Sequence, residues 1–218
     1  MAATYLGPTF NLPIGRTKEL TIDCYEADTT TALVVGATDV FRFKVWLTDG
    51  AAPQIDADSI ALLTDTFTTG FAVNNELTST SPHGLVVGDA IHVSTTTTLP
   101  APLAAETAYW VLTTPTTSTL TIGASKGGAE ITLTSDGVGT HTWTQRKSSV
   151  TVVTVGSVGV PAQVTVTLDQ VDTAQLTADT DYNYELALVD DDDGNRIKSI
   201  TRGLFRTDGS DTGDIGAT

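Results

Sequence analysis

The chain has 218 residues and a formal net charge of −15, from 11 basic and 26 acidic side chains. This acidity excludes the basic footprint that nucleic-acid phosphates require, so no nucleic-acid partner is expected. The sequence contains no apolar run long enough for a membrane-spanning helix, and its first residues lack the zones of a signal peptide. The lone Cys24 excludes an internal disulfide and a thiolate metal cage.

The first 62 residues carry strand patterns. Roughly a fifth of the chain is threonine, whose branched β-carbon favours strands over helices. Apolar and polar residues alternate over Leu20–Tyr25 and Phe41–Leu47, which is the period of a half-buried strand. Cys24 shares a face with Leu20, which indicates a small buried hydrophobe rather than a reactive thiol. In the second strand the alternation places Trp46 on the outer face and Leu47 on the inner face.

The composition changes near residue 63. From Leu63 to Gln145 the only basic residue is Lys126, against six acidic residues, and Thr, Gly and Pro are abundant. Turn signals separate short predicted strands at Ala90–Ser94, Thr107–Thr113, Ser118–Gly123, Glu130–Thr134 and Thr140–Gln145. Short strands at such close spacing predict a small β-barrel or sandwich.

After Arg146 the alternation of apolar and polar residues returns. Alternation over Val164–Leu168 and Tyr182–Leu188 predicts two more strands, and Asp169–Leu176 predicts a short helical crossover between sheets. Arg196–Phe205 is predicted to run back beside the last of these, with Gly203 marking a bulge. From Thr207 the tail consists mostly of Gly, Asp, Ser and Thr and is predicted to lack regular structure.

These patterns predict an all-β chain of two modules. The segments on either side of the central one share the same alternation of apolar and polar residues. Together these flanks supply about seven strands, the number of an immunoglobulin-like sandwich. We therefore expect a discontinuous β-sandwich from residues 1–62 and 147–207. A second small barrel or sandwich, residues 63–146, is inserted in one of its loops, and residues 208–218 form an acidic tail that is flexible or ordered by a partner.

The acidic run near the C-terminus is the one candidate metal site. Aligning the calcium-loop pattern on Gly194 places Val189 and Ile200 at two ligand positions, where neither can bind a cation. A solvated hairpin turn is therefore favoured, and four adjacent carboxylates remain a weak cation candidate: Asp190, Asp191, Asp192 and Asp193. The three histidines are His83, His92 and His141. A sheet could bring His92 and His141 together, but two imidazoles without a third ligand make a poor zinc site, so all three are expected to be structural.

No catalytic constellation is present, so we expect a protein without enzymatic activity or cofactor. Nucleophile-elbow, phosphate-loop and dinucleotide-binding patterns are all missing. Carboxylate pairs such as Asp56 and Asp58 resemble those of glycoside hydrolases, but nothing selects one pair over another. Trp46, Trp110 and Trp143 suggest either a sugar-stacking platform at the surface or anchors of a core or subunit interface.

Four motifs in the central segment resemble a β-rich module of tailed-bacteriophage virion proteins. The motifs are HGL-x-x-GD at His83–Asp89, LP-x-PL at Leu99–Leu103, Y-x-V at Tyr109–Val111 and LTS-x-G-x-G-THT at Leu133–Thr142. They occur in that family's order and cover about residues 71–145. The resemblance implies a structural or binding appendage, and it carries no catalytic residues with it.

The flanks resemble a second kind of phage domain. Gly15–Thr21, and Tyr182–Leu188 followed by Asp190–Gly194, are similar to the small sandwich domains of baseplate upper proteins and of head or tail fibre subunits. Those domains are uninterrupted, whereas this one contains an insert. Both resemblances imply a non-enzymatic virion subunit that is assembled in the host cytoplasm. Its partners would be capsid or tail proteins and copies of itself.

Two other functions are weighed against the virion role, and the distribution of charge predicts which module docks. A carbohydrate- or cell-surface-binding adhesin would use the tryptophans on host glycans, and an enzyme such as a glycan depolymerase is disfavoured by the missing motifs. Residues 63–145 carry a charge of 1 − 6 = −5 and the rest of the chain 10 − 20 = −10. Because nearly all basic residues lie in the flanks, the sandwich is expected to dock and the insert to face outward.

Overall fold

A computed structural model describes residues 10–25, 31–33, 35–36, 38–47, 51–70, 75–190 and 196–208. Contacts divide the chain into two compact units, Met1–Ile60 with Ser148–Thr218 and Ala61–Lys147. The sequence-based boundaries follow residues 62 and 146, close to these positions. The Asp190–Asp193 side chains and residues 209–218 lie outside the described residues.

The described regular structure is almost entirely β. In chain order it comprises β1 (Phe10–Pro13), β2 (Lys18–Cys24), β3 (Val40–Trp46), β4 (Ile55–Asp58), β5 (Thr64–Thr69), β6 (Leu77–Ser79), β7 (Ala90–Thr95), β8 (Tyr109–Thr113), β9 (Thr119–Gly123), β10 (His141–Arg146), β11 (Ser149–Thr154), β12 (Ala162–Leu168), α1 (Gln170–Thr173), β13 (Asp181–Asp190) and β14 (Arg196–Asp208).

The first unit is a β-sandwich of eight described strands. Their hydrogen-bonded order is β1-β14-β13-β3-β4-β11-β12-β2, and β4 meets β11 only through the pair Asp58–Ser149. The sheet therefore divides there into a five-stranded and a three-stranded layer. Inward residues of both layers form one core, with Phe43 of β3 and Val166 of β12 each fully buried.

The connections of this unit are immunoglobulin-like. β2, β12 and β11 take the places of strands B, E and D, while β3, β13 and β14 take those of C, F and G. Near the start of β13, the Tyr182 hydroxyl accepts a hydrogen bond from the Thr177 backbone at 2.8 Å, which is the tyrosine corner of such folds. The predicted fold class is confirmed, and the insert occupies the connection from β4 to β11.

Several local predictions for the sandwich are also confirmed. Cys24 is fully buried in the core beside Leu20, as the alternation of β2 indicated. The predicted crossover contains α1, whose first turn is capped by the Asp169 carboxylate accepting from the Val171 backbone at 2.9 Å.

Other local predictions are wrong. The bulge of β14 lies at Ile200, because Leu186 pairs with Thr201 and Ala187 with Ser199. Gly203 instead pairs in register with Tyr184, whose ring occupies the space where a Cβ of residue 203 would lie.

The ends of two predicted strands, at Leu47 and at Thr207, also differ from the structure. Leu47 lies just beyond β3 and is 48% exposed, whereas Trp46 is only 9% exposed. Thr207 does not begin an irregular tail, since it lies in β14 and is buried, and its backbone N–H donates to the Thr180 carbonyl at 3.1 Å.

The second unit is a closed six-stranded barrel. Its strands follow the order β10-β5-β6-β9-β8-β7, and β7 returns to β10, with every pairing antiparallel. Buried Leu77, Ile91, Leu120 and Trp143 lie in its core. The sequence did not predict β5 or β6. The expected strand at Glu130–Thr134 is reduced to one isolated bridge, from Glu130 to Gly123.

Candidate interaction surface

The polar residues of the barrel motifs hold loops in place. His83 is 4% exposed; its Nδ1 accepts from the Leu85 backbone at 3.0 Å, and its Nε2 donates to the Thr116 carbonyl at 3.2 Å. At the end of the same motif, the Asp89 carboxylate accepts from the Val86 backbone at 3.0 Å. Both side chains thus accept hydrogen bonds from backbone N–H groups that have no backbone acceptor in the turn, as polar side chains in turns commonly do.

The last motif is held in the same way. The Nε2 of buried His141 donates to the Asp136 carbonyl at 3.0 Å, while its Nδ1 lies 2.9 Å from the Thr95 hydroxyl. Gly137 has a φ of +70°, and a Cβ there would lie 2.4 Å from the Thr98 carbonyl oxygen. Only glycine fits that position, so this motif specifies a close approach of two backbones.

The histidines do not form a metal centre. His92 pairs with Thr144 on β10, three positions from His141, and it is half-buried in the barrel wall while His141 lies inside. Because neighbouring strand residues alternate between faces, the two imidazoles lie on opposite sides of the wall. Within the described ranges, no group of three or more His, Cys, Asp or Glu side chains is placed to hold a metal ion.

Neither the cysteine nor the carboxylate pair has a catalytic setting. Burial, with a smaller contribution from neighbouring Asp23, raises the pKa of the Cys24 thiol to about 12, which keeps it protonated and unreactive. Asp56 lies on the sandwich surface 3.9 Å from the Lys44 ammonium. Asp58 accepts from the Ile60 backbone at 3.1 Å, so these two carboxylates serve an ion pair and a turn.

The three tryptophans do not form one platform. Trp143 is 1% exposed in the barrel core, where its Nε1 donates to the Ser79 hydroxyl at 2.8 Å, so it is not a surface-binding residue. Trp46 is also buried, and its Nε1 finds no acceptor among the described residues. Trp110 on β8 is partly buried and is the most accessible of the three.

Four basic side chains of the sandwich pair with carboxylates of the same unit. The Arg202 guanidinium lies 2.9 Å from the Glu185 carboxylate, and the Arg206 guanidinium lies 3.5 Å from Asp181. Arg42 approaches Asp56, which is shared with a neighbouring lysine. These four cations already have carboxylate neighbours, so a surface that does not depend on charge is the better candidate for the expected docking role.

An exposed apolar hairpin supplies such a surface. β11 and β12 are joined by a tight turn in which Ser157 and Val160 exchange two backbone hydrogen bonds, of 2.8 and 2.9 Å. Val158 stands at its tip and is fully exposed. Three more valines of this hairpin are half-exposed or more: Val153, Val155 and Val160.

The hairpin is also free of charge. No acidic or basic residue occurs between Lys147 and Asp169, in a chain where 17% of residues are charged. Contiguous exposed apolar surface on a soluble protein marks an interaction site, and uncharged β-prone segments aggregate unless a partner covers them. The sequence-based prediction covered only the strand Val164–Leu168 and missed this surface, although a long charge-free run that is rich in valine marks it.

A cleft opens beside β2, where that strand faces β1, β13 and β14 of the other layer; we call it the β2–β14 cleft. It has a volume of about 270 Å³, and its apolar lining comes from Phe10, Ile22, Tyr25, Tyr184 and Ile200. Burial raises the pKa of the Tyr184 phenol, partly opposed by its hydrogen bond with Thr201, so the cleft floor stays uncharged. Among the described residues no strand pairs with the outer edge of β2.

Comparison with known proteins yields no relative: no family model, curated protein or solved structure matches this chain. In the described part of the chain, no helix is long and apolar enough to cross a membrane.

Proposed function

We propose that this protein is a non-enzymatic structural subunit of a tailed-phage virion. It assembles by protein–protein contacts on the particle exterior, as a head-decorating or head-fibre protein or as a tail or baseplate component. The phage-like motifs of the insert and the sandwich flanks support this role. Each polar side chain traced in the barrel motifs, namely His83, Asp89 and His141, serves an internal hydrogen bond, as a structural module requires.

The observation that carries the proposal is the valine hairpin of the sandwich. Val158 and its neighbours expose apolar surface on a chain with a net charge of −15. Such a surface gains free energy by burial against another subunit, at about 25 cal/mol per Å² of apolar area. The surrounding acidity keeps the chain from packaged DNA and favours the outside of the particle.

Mass spectrometry of purified virions tests the proposal. Particles of the phage whose genome encodes this chain should contain it in a fixed copy number relative to the major capsid protein. A low-resolution map of the particle then distinguishes a head position from a tail position. Absence of the chain from highly purified particles would contradict the proposed function.

A second candidate function is a carbohydrate-binding adhesin on the same particle. It is favoured by Trp110, which alternates with the buried Tyr109 and Val111 along β8 and is itself only partly buried, as a sugar-stacking indole must be. Trp110→Ala should abolish binding on a glycan array while the far-UV circular dichroism spectrum stays unchanged. Lack of binding by the unmodified chain across a broad glycan panel would count against this role.

A further inference from the structure

The tip of the valine hairpin is shaped as a knob. Val158 and Gly159 form the turn between Ser157 and Val160, and Gly159 has a φ of +81° that a type II turn requires at this position. A register shift between Val152 and Thr154 leaves Val153 as a bulge residue that is 56% exposed. The hairpin therefore ends in a narrow, convex, apolar tip.

The β2–β14 cleft is large enough and apolar enough to receive this tip. An apolar cavity of about 150 Å³ accepts a benzene-sized group. A cleft of about 270 Å³ therefore has room for the side chains of the two tip valines, Val158 and Val160. Its walls carry one acidic residue, Asp23, whose Oδ1 already accepts from the Gln163 side chain at 2.8 Å.

We propose that the hairpin tip of one copy of this chain inserts into the β2–β14 cleft of a second copy. Two copies carry −15 each and repel one another over most of their surfaces. The hairpin, free of charge from Ser148 to Leu168, is a surface by which they can approach without that cost. This inference rests on the proposed assembly role and names its partner and its contact.

The contact joins two different surfaces, so it is heterologous. The first copy then keeps an unused cleft and the second an unused hairpin. Repetition of the contact builds a closed ring if the rotation between copies closes, and a chain of subunits if it does not. A symmetric pairing of two hairpin tips would leave both clefts empty and is the alternative that the experiment must exclude.

Sedimentation velocity of the purified full chain over a range of concentrations provides the first measurement. The unmodified chain should self-associate with rising concentration. Val158→Asp places a charge in the cleft and should raise the concentration of half-association by about tenfold or more. Val138→Asp is the matched control, since Val138 is a 62% exposed valine of the barrel, and it should leave association unchanged.

Cysteine cross-linking identifies the two surfaces. Val158→Cys and Ile200→Cys chains are mixed and treated with a short bismaleimide, and Tyr25→Cys replaces the second variant if Ile200→Cys fails to fold. Buried Cys24 should not react, and the unmodified chain tests this directly. Cross-links that form only in the mixture support the proposal.

Three outcomes would overturn it. These are a monomer at all concentrations, association that Val158→Asp leaves intact, and cross-linking of Val158→Cys to itself in preference to the mixture. Particle composition separates this inference from the proposed function. A chain that is present in virions but monomeric in solution refutes the inference alone, whereas one that associates in solution but is absent from virions refutes the proposed function alone.

Discussion

Two buried tryptophans differ by one hydrogen bond, and this difference predicts different costs of substitution. The Nε1 of Trp143 donates to Ser79, whereas that of Trp46 finds no acceptor among the described residues. Trp143→Phe loses packing and leaves a buried hydroxyl without its donor. Trp46→Phe loses similar packing but removes an unpaired buried N–H. We expect Trp143→Phe to be the more destabilising by about 1–2 kcal/mol.

Urea unfolding of both variants, followed by circular dichroism, measures this difference. Ser79→Ala serves as the partner control, because it should cost about 1 kcal/mol in the unmodified chain and much less in Trp143→Phe. Equal losses for the two tryptophan variants would contradict the assignment.

The thiol of Cys24 predicts a loss of stability at alkaline pH. Burial raises its pKa from the ordinary 9.0 to about 12, so between these values the unfolded chain releases a proton that the folded chain retains. The stabilisation is therefore fully present below about pH 9 and is lost as pH rises toward about 12. From about pH 8 to about pH 10.5, the unmodified chain should lose about 1–2 kcal/mol more than Cys24→Ala.

Unfolding free energies at the two pH values provide this comparison. The small void left by Cys24→Ala destabilises the protein equally at both pH values and cancels from the difference. Parallel pH profiles for the two proteins would show that Cys24 titrates alike in the folded and unfolded chains.

At the scale of single elements, Gly203 and Tyr184 form a cross-strand pair that predicts an overpacked variant. A Cβ on residue 203 would lie 2.6 Å from the Tyr184 ring, which is fully buried and stacks on Phe43 at 5.5 Å between centroids. Gly203→Ala should therefore destabilise the sandwich by about 1–3 kcal/mol, although glycine is ordinarily unfavourable in a strand.

The matched control is Ser199→Ala, on the exposed face of the same strand, which should change stability by less than about 0.5 kcal/mol. Thermal unfolding by circular dichroism measures both variants. A Gly203→Ala protein that is more stable than the parent would show that the Tyr184 ring moves aside without cost.

Strands with strict alternation are the elements that the sequence predicts well. Phe41, Phe43 and Val45 of β3 lie in the core as their spacing indicates, because a half-buried strand places every second residue inward. β5 and β6 were missed because Thr64–Thr69 has one apolar residue and Leu77–Ser79 is too short to show a period. These two segments are strands because they pair with β10 and β9 in the closed barrel, and such pairing cannot be read from a short stretch of sequence.

From the sequence, the tryptophans are either a surface platform or, more often in all-β chains, anchors of a core or interface. Which of them are buried depends on neighbours that are distant in sequence: Trp143 reaches Ser79 across 64 positions. The apolar hairpin has a local signal, yet a run of valines is equally typical of a buried strand. Only the three-dimensional arrangement shows that Val158 lies at a turn, outside the core.

At the scale of the whole chain, the two units predict independent folding. Asp58 and Ser149 are register partners on β4 and β11, so the two ends of the sandwich that flank the insert lie side by side. Each unit also has its own buried core. Replacing Ala61–Lys147 by a Gly-Ser linker of about four residues should therefore leave a folded sandwich, because a short loop closes this gap at little entropic cost.

The excised sandwich and the isolated barrel should each unfold cooperatively in urea, at midpoints close to those of two transitions in the full chain. Phe43→Ala in the excised sandwich is the control for a native core, and it should lower that unfolding free energy by about 3–5 kcal/mol. If the excised sandwich is unfolded while the full chain is folded, the insert stabilises the sandwich. In that case lengthening the linker would not restore folding.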